Sequence, residues 1–477
     1  MHTKVTASYF TPQAWVGGEA GSQWAYNVRL DVASDGLWQA ITPNASAEGA
    51  TQLHGPVLPG VVNAHSHAFQ RAIAGLTERS AGNGAGKDDD FWSWRERMYR
   101  AALRITPAQL EAIATQLYAE LLQGGYTHVC EFHYLHNDTD GKPYSNPLEM
   151  ALALVRAAQN TGIGLTLVPT LYMHSGFGVQ TAAGTNPQNL REEQRRFAGT
   201  PNTVLRMAEA MNALALPNVN AGLALHSLRA VDPAALKEAS IEALRKGWPI
   251  HIHIAEQVQE VQDCLAHHGQ RPVEWLLNHA AVNAQWNLVH ATHANAQELQ
   301  GVQAAGASIV LCPSTEANLG DGVFDLPSHL QLQGRWSIGS DSHVTRDLSE
   351  ELRLLEYSQR FARRQRNVAA AASSNRHGFN GASSTAAVLL QGAVRGGSAA
   401  AGIAANGLQA GQRADFCVLN ADAPSLAGIP SDHLLDAWVF SSPSAGVATT
   451  HVAGREVPRK QGEWQRGFAS AMQSLWA

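Results

Sequence analysis

Cysteine, charged residues and long apolar runs are all scarce in this sequence of 477 residues. Its four cysteines are far apart and form no Cys-x-x-Cys pair, which argues against a disulfide framework and against a cysteine-ligated zinc. Nowhere do about 18 uncharged apolar residues occur together, and the amino terminus lacks the basic-then-apolar pattern of a signal peptide. We therefore expect a cytoplasmic protein with reduced, mostly buried thiols.

An excess of positive charge is also missing. The net charge is −6 and charged residues make up 16% of the chain, without the concentration of Lys and Arg that marks a nucleic-acid-binding surface. The chain is 45% hydrophobic, and its length suffices for one large α/β domain with a smaller one beside it. A small molecule is therefore the expected partner, with neither nucleic acid nor a membrane.

Short β-branched segments alternate with longer helical patterns from residue 57 onward. One helix is predicted to begin where Thr106 can cap it and Pro107 suits its first turn, and to end at Gly124. The segments that we predict to be strands are Val57–Asn63, Thr127–His133, Gly164–Leu171, Ala221–Leu228, Pro249–Ala255, Asn287–Ala291, Ser308–Pro313 and Trp336–Ser340. Strands alternating with helices in this way predict an α/β fold, a (β/α)₈ TIM barrel with its catalytic groups at the carboxyl ends of the strands.

An open doubly wound sheet is the main competing fold. It needs a glycine-rich phosphate turn after its first strand, and this sequence has His-Ser-His there instead. The two flanks differ from the middle, and short alternating runs in them predict a small β-sandwich domain from residues 1–56 and 400–477, outside a barrel of residues 57–399. The loop Gly82–Asp90 follows the first strand, where barrels often carry active-site lids.

Two His-x-His pairs stand at the ends of predicted strands, His65 with His67 and His251 with His253. With 21 histidines in the chain, chance placement would produce roughly one such pair, so the spacing alone is a weak signal. At a strand end, however, residues i and i+2 point to the same face and can reach one ion together. Spacing alone does not decide between His251 and His253.

Further ligand-type residues end the later strands. They are His226 at the fourth strand, His253 and Glu256 at the fifth, His290 at the sixth and Asp341 at the eighth. Because the carboxyl ends of barrel strands form one rim, we expect these side chains near the first histidine pair. We expect His251, His293 and His343 to be ordinary hydrogen-bonded or surface imidazoles.

This arrangement resembles the amidohydrolase superfamily over nearly the whole chain. The resemblance rests on Pro59-Gly-Val-Val-Asn-Ala-His65-Ser-His67, His253-x-x-Glu256, His290 and Ser340-Asp341-Ser. It implies that one divalent metal ion is bound by His65, His67, His253 and Asp341. Members with two metal ions also need a lysine at a strand end, and the fourth predicted strand contains none. Imidazoles with a carboxylate suit Zn²⁺ first, and Fe²⁺ or Ni²⁺ accept the same ligands.

The spacing His253-x-x-Glu256 is similar to that of the deaminase branch of the superfamily. By that resemblance, Glu256 is the general acid and base that moves a proton from the attacking water to the departing nitrogen. His290 would orient the hydroxide, and Asp341 would accept its proton. The alternative for Glu256 is a solvated first residue of the following helix.

Within this branch, four segments resemble the deiminases that convert N-formimino-L-glutamate to N-formyl-L-glutamate and ammonia in histidine degradation. The segments are His65–Arg71, Phe91–Arg95, Glu131–His136 and Leu225–Val231. The resemblance implies that the residues in contact with the substrate are Gln70, Arg95, Tyr134, His226 and Arg229. A small dicarboxylate needs planar cationic partners, which the two arginines can supply. The resemblance also suggests a homodimer, which nothing else in the sequence requires.

Other interpretations remain open. Arg229 could pair with Asp232, and Arg95 could be a surface charge beside Glu96. The chain could be a deaminase of guanine or another aminated heterocycle, because those enzymes share the metal ligands and a glutamine shortly after the first histidine pair. It could also be a non-catalytic binding protein on the same scaffold, but such proteins typically lose ligands, and every expected ligand type is present here.

Overall fold

The structure is a computed structural model that describes residues 4–18, 21–79, 90–181, 184–373, 384–441 and 445–477. The predicted lid segment Gly82–Asp90 lies outside the described residues except for Asp90, which caps the first helix. The helices are α1 (Phe91–Ala102), α2 (Pro107–Gln123), α3 (Glu149–Thr161), α4 (Pro201–Ala213), α5 (Pro233–Arg245), α6 (Val258–His268), α7 (Pro272–His279), α8 (Ala296–Ala305), α9 (Pro313–Leu319), α10 (Leu326–Gln331), α11 (Leu348–Arg363), α12 (Val368–Ser373), α13 (Thr385–Ala401), α14 (Leu434–Phe440) and α15 (Gln461–Trp476).

The strands fall into a barrel, an outer sheet and a hairpin. They are β1 (Val5–Gly18), β2 (Gly21–Ala33), β3 (Trp38–Thr42), β4 (Thr51–Gln52), β5 (Val57–Pro59), β6 (Val61–Ser66), β7 (Tyr126–His133), β8 (Gly164–Leu171), β9 (His174–Thr181), β10 (Gly184–Asn189), β11 (Val219–Ala221), β12 (Leu223–Leu225), β13 (Ile250–Ile254), β14 (Trp286–His290), β15 (Ser308–Leu311), β16 (Arg335–Ile338), β17 (Phe416–Leu419), β18 (Val447–Val452) and β19 (Arg455–Glu456).

Parallel strands close into a barrel. The hydrogen-bonded order is β6, β7, β8, β12, β13, β14, β15, β16 and back to β6, with the short β11 alongside β8. Their side chains are almost entirely buried, because a parallel strand between neighbours and covering helices meets no solvent on either face. The predicted (β/α)₈ barrel is confirmed, and α2 begins after the predicted cap Thr106 and ends before Gly124.

The first predicted strand, Val57–Asn63, is wrong in one respect, because it is two strands in the structure. Its first half, β5, pairs with β17 and β1 in the outer sheet, and only its second half belongs to barrel strand β6. The break falls at Gly60, where a Cβ atom would lie 2.4 Å from Oγ1 of Thr127. The chain therefore crosses from one sheet to the other where the backbone approaches β7 too closely for a side chain.

The outer sheet is built from both chain ends. Its strand order is β19, β18, β17, β5, β1, β2, β3, with β4 paired to β1. It has a separate apolar core that includes Leu30, Trp38 and Phe416. The expected outer β-structure is thus a curled sheet beside the barrel, and the terminal helix α15 packs against α2.

Two further expectations concern the thiols and the membrane. All four cysteines are buried and free, as the sequence predicted. In the part of the chain that the structure describes, no helix combines the length and apolarity needed to span a bilayer.

Candidate active site

Four histidines and one aspartate meet at the carboxyl ends of the barrel strands. The Nε2 atoms of His65 and His253 are 3.0 Å apart. Oδ1 of Asp341 lies 3.4 Å from Nε2 of His65 and 3.4 Å from Nε2 of His67. The backbone holds them in place, because Asp341 N–H donates to the carbonyl of His65 and His67 N–H donates to the carbonyl of Asp341. Together with His290, these side chains form two overlapping groups, in each of which the ligand atoms lie within 4.8 Å of one another.

The turns that follow the strands carry strained backbone at this rim. Ala255, His290 and Asp341 have φ angles of 52°, 67° and 45°. Residues other than glycine rarely adopt positive φ, and each such residue costs of order 1–3 kcal/mol. His290 and Asp341 belong to the cluster, so the strained backbone occurs where the chain directs these side chains toward the other members.

The clustered imidazoles are in the form that binds a metal ion. Burial lowers the pKa of His65, His67 and His253, which keeps all three neutral. Nδ1 of His67 donates to the Phe132 carbonyl at 2.9 Å, and Nδ1 of His253 donates to the His226 carbonyl at 3.0 Å. Each Nε2 therefore carries a lone pair, and hydrogen bonds of this kind orient metal-binding histidines. With the Nε2 atoms of His65 and His253 only 3.0 Å apart and Asp341 beside them, this donor set fits one divalent ion.

Glu256 and His290 lie beside this donor set. Oε1 of Glu256 is 3.7 Å from Nε2 of His290, and that nitrogen is 3.8 Å from Oδ2 of Asp341. Burial raises the pKa of Glu256 to about 7, although the neighbouring His290 opposes the rise. A carboxyl group whose pKa is near neutrality can both accept and donate a proton, which suits a general acid and base.

His290 has a third acidic neighbour that the sequence did not indicate. Its Nδ1 lies 3.4 Å from Oε1 of Glu316, which also accepts a 2.9 Å hydrogen bond from Cys312 N–H. Burial by itself lowers the pKa of His290, but Glu256, Glu316 and Asp341 outweigh it and raise the pKa to about 10. The three carboxylates around His290 therefore favour its protonated form.

The structure separates His251 from His253. Two residues before His253, His251 lies lower in the barrel, where its Nε2 donates to the carbonyl of Ala400 in α13 at 2.8 Å. His343 lies behind the cluster and contacts Oγ of Ser340 at 3.0 Å. His293 is partly buried, outside the groups of clustered ligand atoms. His251 and His343 are thus hydrogen-bonded imidazoles, whereas Nε2 of His293 is buried without a hydrogen-bond partner among the described residues.

The residues expected to contact substrate line the same cavity, of about 500 Å³. Nε2 of Gln70 donates to the hydroxyl of Tyr134 at 3.2 Å, and the ring of His226 packs 4.1 Å from the ring of Tyr172. Oε1 of Gln70 is buried and has no hydrogen-bond partner among the described residues. The cavity therefore offers a free acceptor next to the donor set.

Two guanidinium groups form the opposite end of the cavity. Arg95 stacks over the indole of Trp92 with 4.4 Å from Cζ to the ring centroid, and Arg229 lies 5.7 Å from the same ring. Nε and one terminal nitrogen of Arg95, and one terminal nitrogen of Arg229, are buried with no hydrogen-bond partner in the described chain.

Burial lowers the pKa of Arg95. Tyr99 opposes this shift, whereas the like charge of Arg229 adds to it. Tyr172 and the more distant acids Glu260 and Glu256 raise the pKa of Arg229 against its burial. Two neighbouring buried cations without an acid at ion-pair distance among the described residues favour an anionic ligand.

The acids that could have neutralised these arginines are engaged elsewhere. Glu96 pairs with Arg191 at 2.9 Å. Asp232 caps α5, where its Oδ1 accepts from two backbone N–H groups. Among the described residues, no carboxylate lies within the 4.0 Å ion-pair distance of Arg95 or Arg229. The alternative pairings considered for the two arginines are therefore absent from the structure.

Sequence reasoning missed several buried acids near the cluster. Glu131 accepts hydrogen bonds from Ser66 Oγ at 2.7 Å and from Ala68 N–H at 2.5 Å, and so supports the backbone on both sides of His67 at the end of β6. Glu316 and Asp321 follow β15 and are both about 95% buried. A signal was present, because Glu131 stands near the end of its strand and Glu316 follows Cys312-Pro313 at a strand end. Neither residue belongs to a closely spaced pair of ligand-type residues such as His-x-His, so the spacing of such residues along the sequence did not indicate them.

Several known proteins are similar to this chain over most of its length. Residues 57–457 match the amidohydrolase family. Formimidoylglutamate deiminase of Pseudomonas aeruginosa is 46% identical over 437 residues, which cover 91% of this chain and 92% of that protein. The crystal structure of an amidohydrolase from Brucella melitensis is 41% identical and has a TM-score of 0.88, covering 99% of this chain and 100% of that one. An adenosine deaminase from Xanthomonas campestris with bound zinc, 19% identical, shares the fold with a TM-score of 0.76 over 98% of both chains.

The family match extends from the crossing between the two sheets, through the whole barrel, to the last strand of the outer sheet. The site residues at the strand ends all lie inside the matched region. This chain therefore belongs to the amidohydrolase family.

Proposed function

We propose that this protein hydrolyses N-formimino-L-glutamate to N-formyl-L-glutamate and ammonia. The observation that carries the proposal is a cavity with neutral metal-ligand imidazoles and Glu256 at one end and two unpaired buried guanidinium groups at the other. A dicarboxylate bound to Arg95 and Arg229 would present its far end to the donor set. The 46% identity to a formimidoylglutamate deiminase supports the same substrate.

The proposed metal ligands are His65, His67, His253 and Asp341, and one divalent ion per chain is proposed. Zn²⁺ is the first choice because neutral imidazole nitrogens with one carboxylate suit it, while Fe²⁺ and Ni²⁺ accept the same donors. When bound there, the ion would lower the pKa of a water molecule toward roughly 7 and so make hydroxide available at neutral pH.

The remaining steps belong to side chains of the protein. Glu256 accepts a proton from the attacking water while the oxygen forms a bond to the formimino carbon, and His290 orients that oxygen. Glu256 then delivers the proton to the terminal nitrogen, the bond from carbon to that nitrogen breaks, and ammonia leaves. Asp341 accepts the proton of the new hydroxyl group as it becomes the formyl carbonyl. The steps balance when the formimino group enters in its protonated, amidinium form: one proton of water leaves with ammonia through Glu256, and the other is taken up by Asp341.

The carboxylates of the substrate would be held by Arg95 and Arg229, whose planar groups can form paired hydrogen bonds with them. Gln70, Tyr134 and His226 line the cavity between its two ends and are proposed to contact the middle of the substrate. The buried free thiols fit the proposed location in the reducing cytoplasm.

The test is an ammonia-release assay with the zinc content measured in the same sample. N-formimino-L-glutamate is compared with guanine and with cytosine at equal concentration. We expect turnover of the dicarboxylate alone. Turnover of a heterocycle without turnover of N-formimino-L-glutamate would replace the proposal by a heterocycle deaminase, and a metal-loaded protein without any turnover would indicate a binding protein.

A further inference from the structure

Glu260 is a buried acid that the proposed steps leave unused. It is the third residue of α6 and is 7% exposed. Its Oε1 accepts a hydrogen bond from the backbone N–H of Ala255 at 3.1 Å, and its Oε2 accepts one from the backbone N–H of Glu256 at 3.0 Å. Both oxygens of this carboxylate therefore bind the short connection between β13 and α6.

This arrangement differs from ordinary helix capping. In the usual capping box, a glutamate at the third helical position reaches back to the backbone N–H of the N-cap residue. The N-cap of α6 is Gln257, and the side chain of Glu260 passes it to reach the two residues before it. Neither of these N–H groups belongs to the helix, so stabilising α6 does not account for the geometry.

The backbone of Ala255 needs such support. Its φ is 52°, a conformation that persists in a residue other than glycine only where the surrounding structure holds it. The N–H of Ala255 donates to Glu260, and its carbonyl accepts a hydrogen bond from the N–H of His293 at 3.0 Å. This turn sets the direction in which the chain leaves β13, and therefore the direction of the next side chain, that of Glu256.

The carboxylate of Glu256 depends on this backbone for its position. It lines the cavity, and its Oε1 lies 3.7 Å from Nε2 of His290, which is beyond hydrogen-bond distance. A group that transfers protons must be held close to the productive geometry, and a displacement of about 1 Å can reduce the rate by about 10²-fold. Glu260 supplies a constraint of this kind through the backbone N–H of Glu256.

We propose that Glu260 is a positioning residue that acts through Glu256. By binding the two N–H groups of the connection, it holds the Glu256 carboxylate where it can take a proton from the attacking water and deliver it to the departing nitrogen. Glu260 is not among the described residues that line the cavity, so it takes no part in the chemistry itself. The inference rests on the proposed function and deepens it, because it names the residue that positions the proposed proton-transfer group.

An alternative role for Glu260 is electrostatic, because it also acts on the charge of Arg229. Against burial, Tyr172 and Glu260 raise the pKa of Arg229. If this were its main role, removing the negative charge would strengthen the binding of an anionic substrate and lower KM without changing kcat. The two roles therefore predict changes in different kinetic constants.

The experiment is a double-mutant cycle of Glu260→Gln and Glu256→Gln, assayed as metal-loaded proteins with N-formimino-L-glutamate. Glutamine cannot accept hydrogen bonds from both N–H groups, because one of its two polar atoms is itself a donor. For Glu260→Gln alone we expect kcat to fall by about 10- to 100-fold, with KM within about twofold of the wild-type value and the metal content unchanged. In the Glu256→Gln background, the same substitution should lower kcat by less than about twofold, because the group that Glu260 positions is already gone.

The control for a disturbance of the first turn of α6 is Gln259→Ala. This neighbouring residue has an exposed side chain, and its substitution should leave kcat and KM unchanged. If Glu260→Gln lowers kcat by the same factor in both backgrounds, its role is merely structural and the inference is overturned. A change in KM alone would assign Glu260 to Arg229 and would overturn the inference as well.

If the wild-type protein releases no ammonia from N-formimino-L-glutamate, the proposed function itself fails, and the inference with it. Wild-type turnover with an additive cycle overturns the inference alone. If Glu260→Gln does not fold, Glu260→Asp replaces it in the cycle. Aspartate keeps the charge but is one methylene shorter, so it cannot reach both N–H groups in the same geometry. The loss of kcat should again disappear in the Glu256→Gln background, and a loss that persists there contradicts the inference.

Discussion

The two ends of the cavity differ in how far the protein satisfies its own polar groups. At the proposed metal-ligand end, His67 and His253 are each oriented by a backbone carbonyl, and Glu131 supports the backbone on both sides of His67. At the arginine end, nitrogens of Arg95 and Arg229 are buried without a partner in the described chain. The first end is preorganised for chemistry, whereas the second is completed only by a ligand. Substitutions at the two ends should therefore fail in different ways.

The largest effect is expected for Glu256→Gln at the metal-ligand end. Glutamine keeps the size of the side chain but cannot accept the proton of water, so kcat should fall by about 10²–10⁴. The KM for N-formimino-L-glutamate and the metal content should change little, because Glu256 is not among the proposed metal ligands. Steady-state kinetics with metal analysis of the same sample provide the measurement.

A matched control for this variant is Glu238→Gln, an exposed glutamate on α5. It should show wild-type kinetics. Near-normal turnover by Glu256→Gln would remove this residue from the proposed proton transfer, and loss of the metal would mean that it acts as a ligand.

The next effect is expected for Arg229→Met at the other end. Methionine fills similar space without charge, and loss of one partner of a buried charge pair costs about 2–5 kcal/mol. The kcat/KM for N-formimino-L-glutamate should fall at least about 30-fold, mainly through a higher KM. Kinetics of the metal-loaded variant measure both constants.

Arg206→Met, at an exposed position on α4, is the control and should leave both constants unchanged. If Arg229→Met lowered kcat alone, Arg229 would not bind a substrate carboxylate. Unchanged kinetics would favour an uncharged substrate such as an aminated heterocycle.

The two ends also differ in how much the sequence alone could reveal. The ligands at the first end lie at strand ends, where one rim of a barrel collects them, so the position of each residue relative to its strand was informative. Spacing alone could not separate His253 from His251; the structure does so by depth, because His251 lies two residues lower and bonds to Ala400 of α13. That contact joins residues 149 positions apart, and no local pattern predicts it.

The role of buried acids such as Glu131 could not be predicted from the sequence for the same reason. Glu131 meets Ser66 because β6 and β7 pair in one particular register, and register follows from packing across the whole barrel. Likewise, the two arginines are unpaired because Glu96 finds Arg191 and Asp232 caps a helix. The sequence shows adjacent charges, but which of them pair is decided by the tertiary fold. The crossing at Gly60 is also tertiary, since it follows from the approach of Thr127.

The pH dependence of kcat/KM should also distinguish the two ends, with a smaller effect than the substitutions of Glu256 and Arg229. Burial raises the pKa of Glu256 to about 7, and this carboxylate must be deprotonated to accept a proton from water. The kcat/KM should therefore be highest above the pKa and fall about tenfold per pH unit below it. A bound divalent cation lowers the pKa of a neighbouring acid, so this acid limb, the fall of kcat/KM toward low pH, should begin at or below pH 7.

Rate profiles of the wild-type protein and of the residual activity of Glu256→Gln provide the check. The variant should lack this acid limb, because the titrating group is gone. An identical limb in both proteins would assign the titration to another group. The guanidinium groups at the other end remain charged throughout this range, so they contribute no limb of their own.

The smallest effect is expected for Glu96→Gln, which tests whether the arginine end is truly unpaired. Glu96 follows Arg95 directly but pairs with Arg191, and both partners are about half exposed. Loss of an exposed ion pair changes the free energy of unfolding by about 0–1 kcal/mol, and the KM for N-formimino-L-glutamate should remain within about twofold of the wild-type value. Denaturant unfolding and steady-state kinetics measure the two quantities. A markedly lower KM would show that Glu96 competes with substrate for Arg95. In that case the two ends would differ less than the geometry indicates, because the arginine end would hold a charge partner of its own.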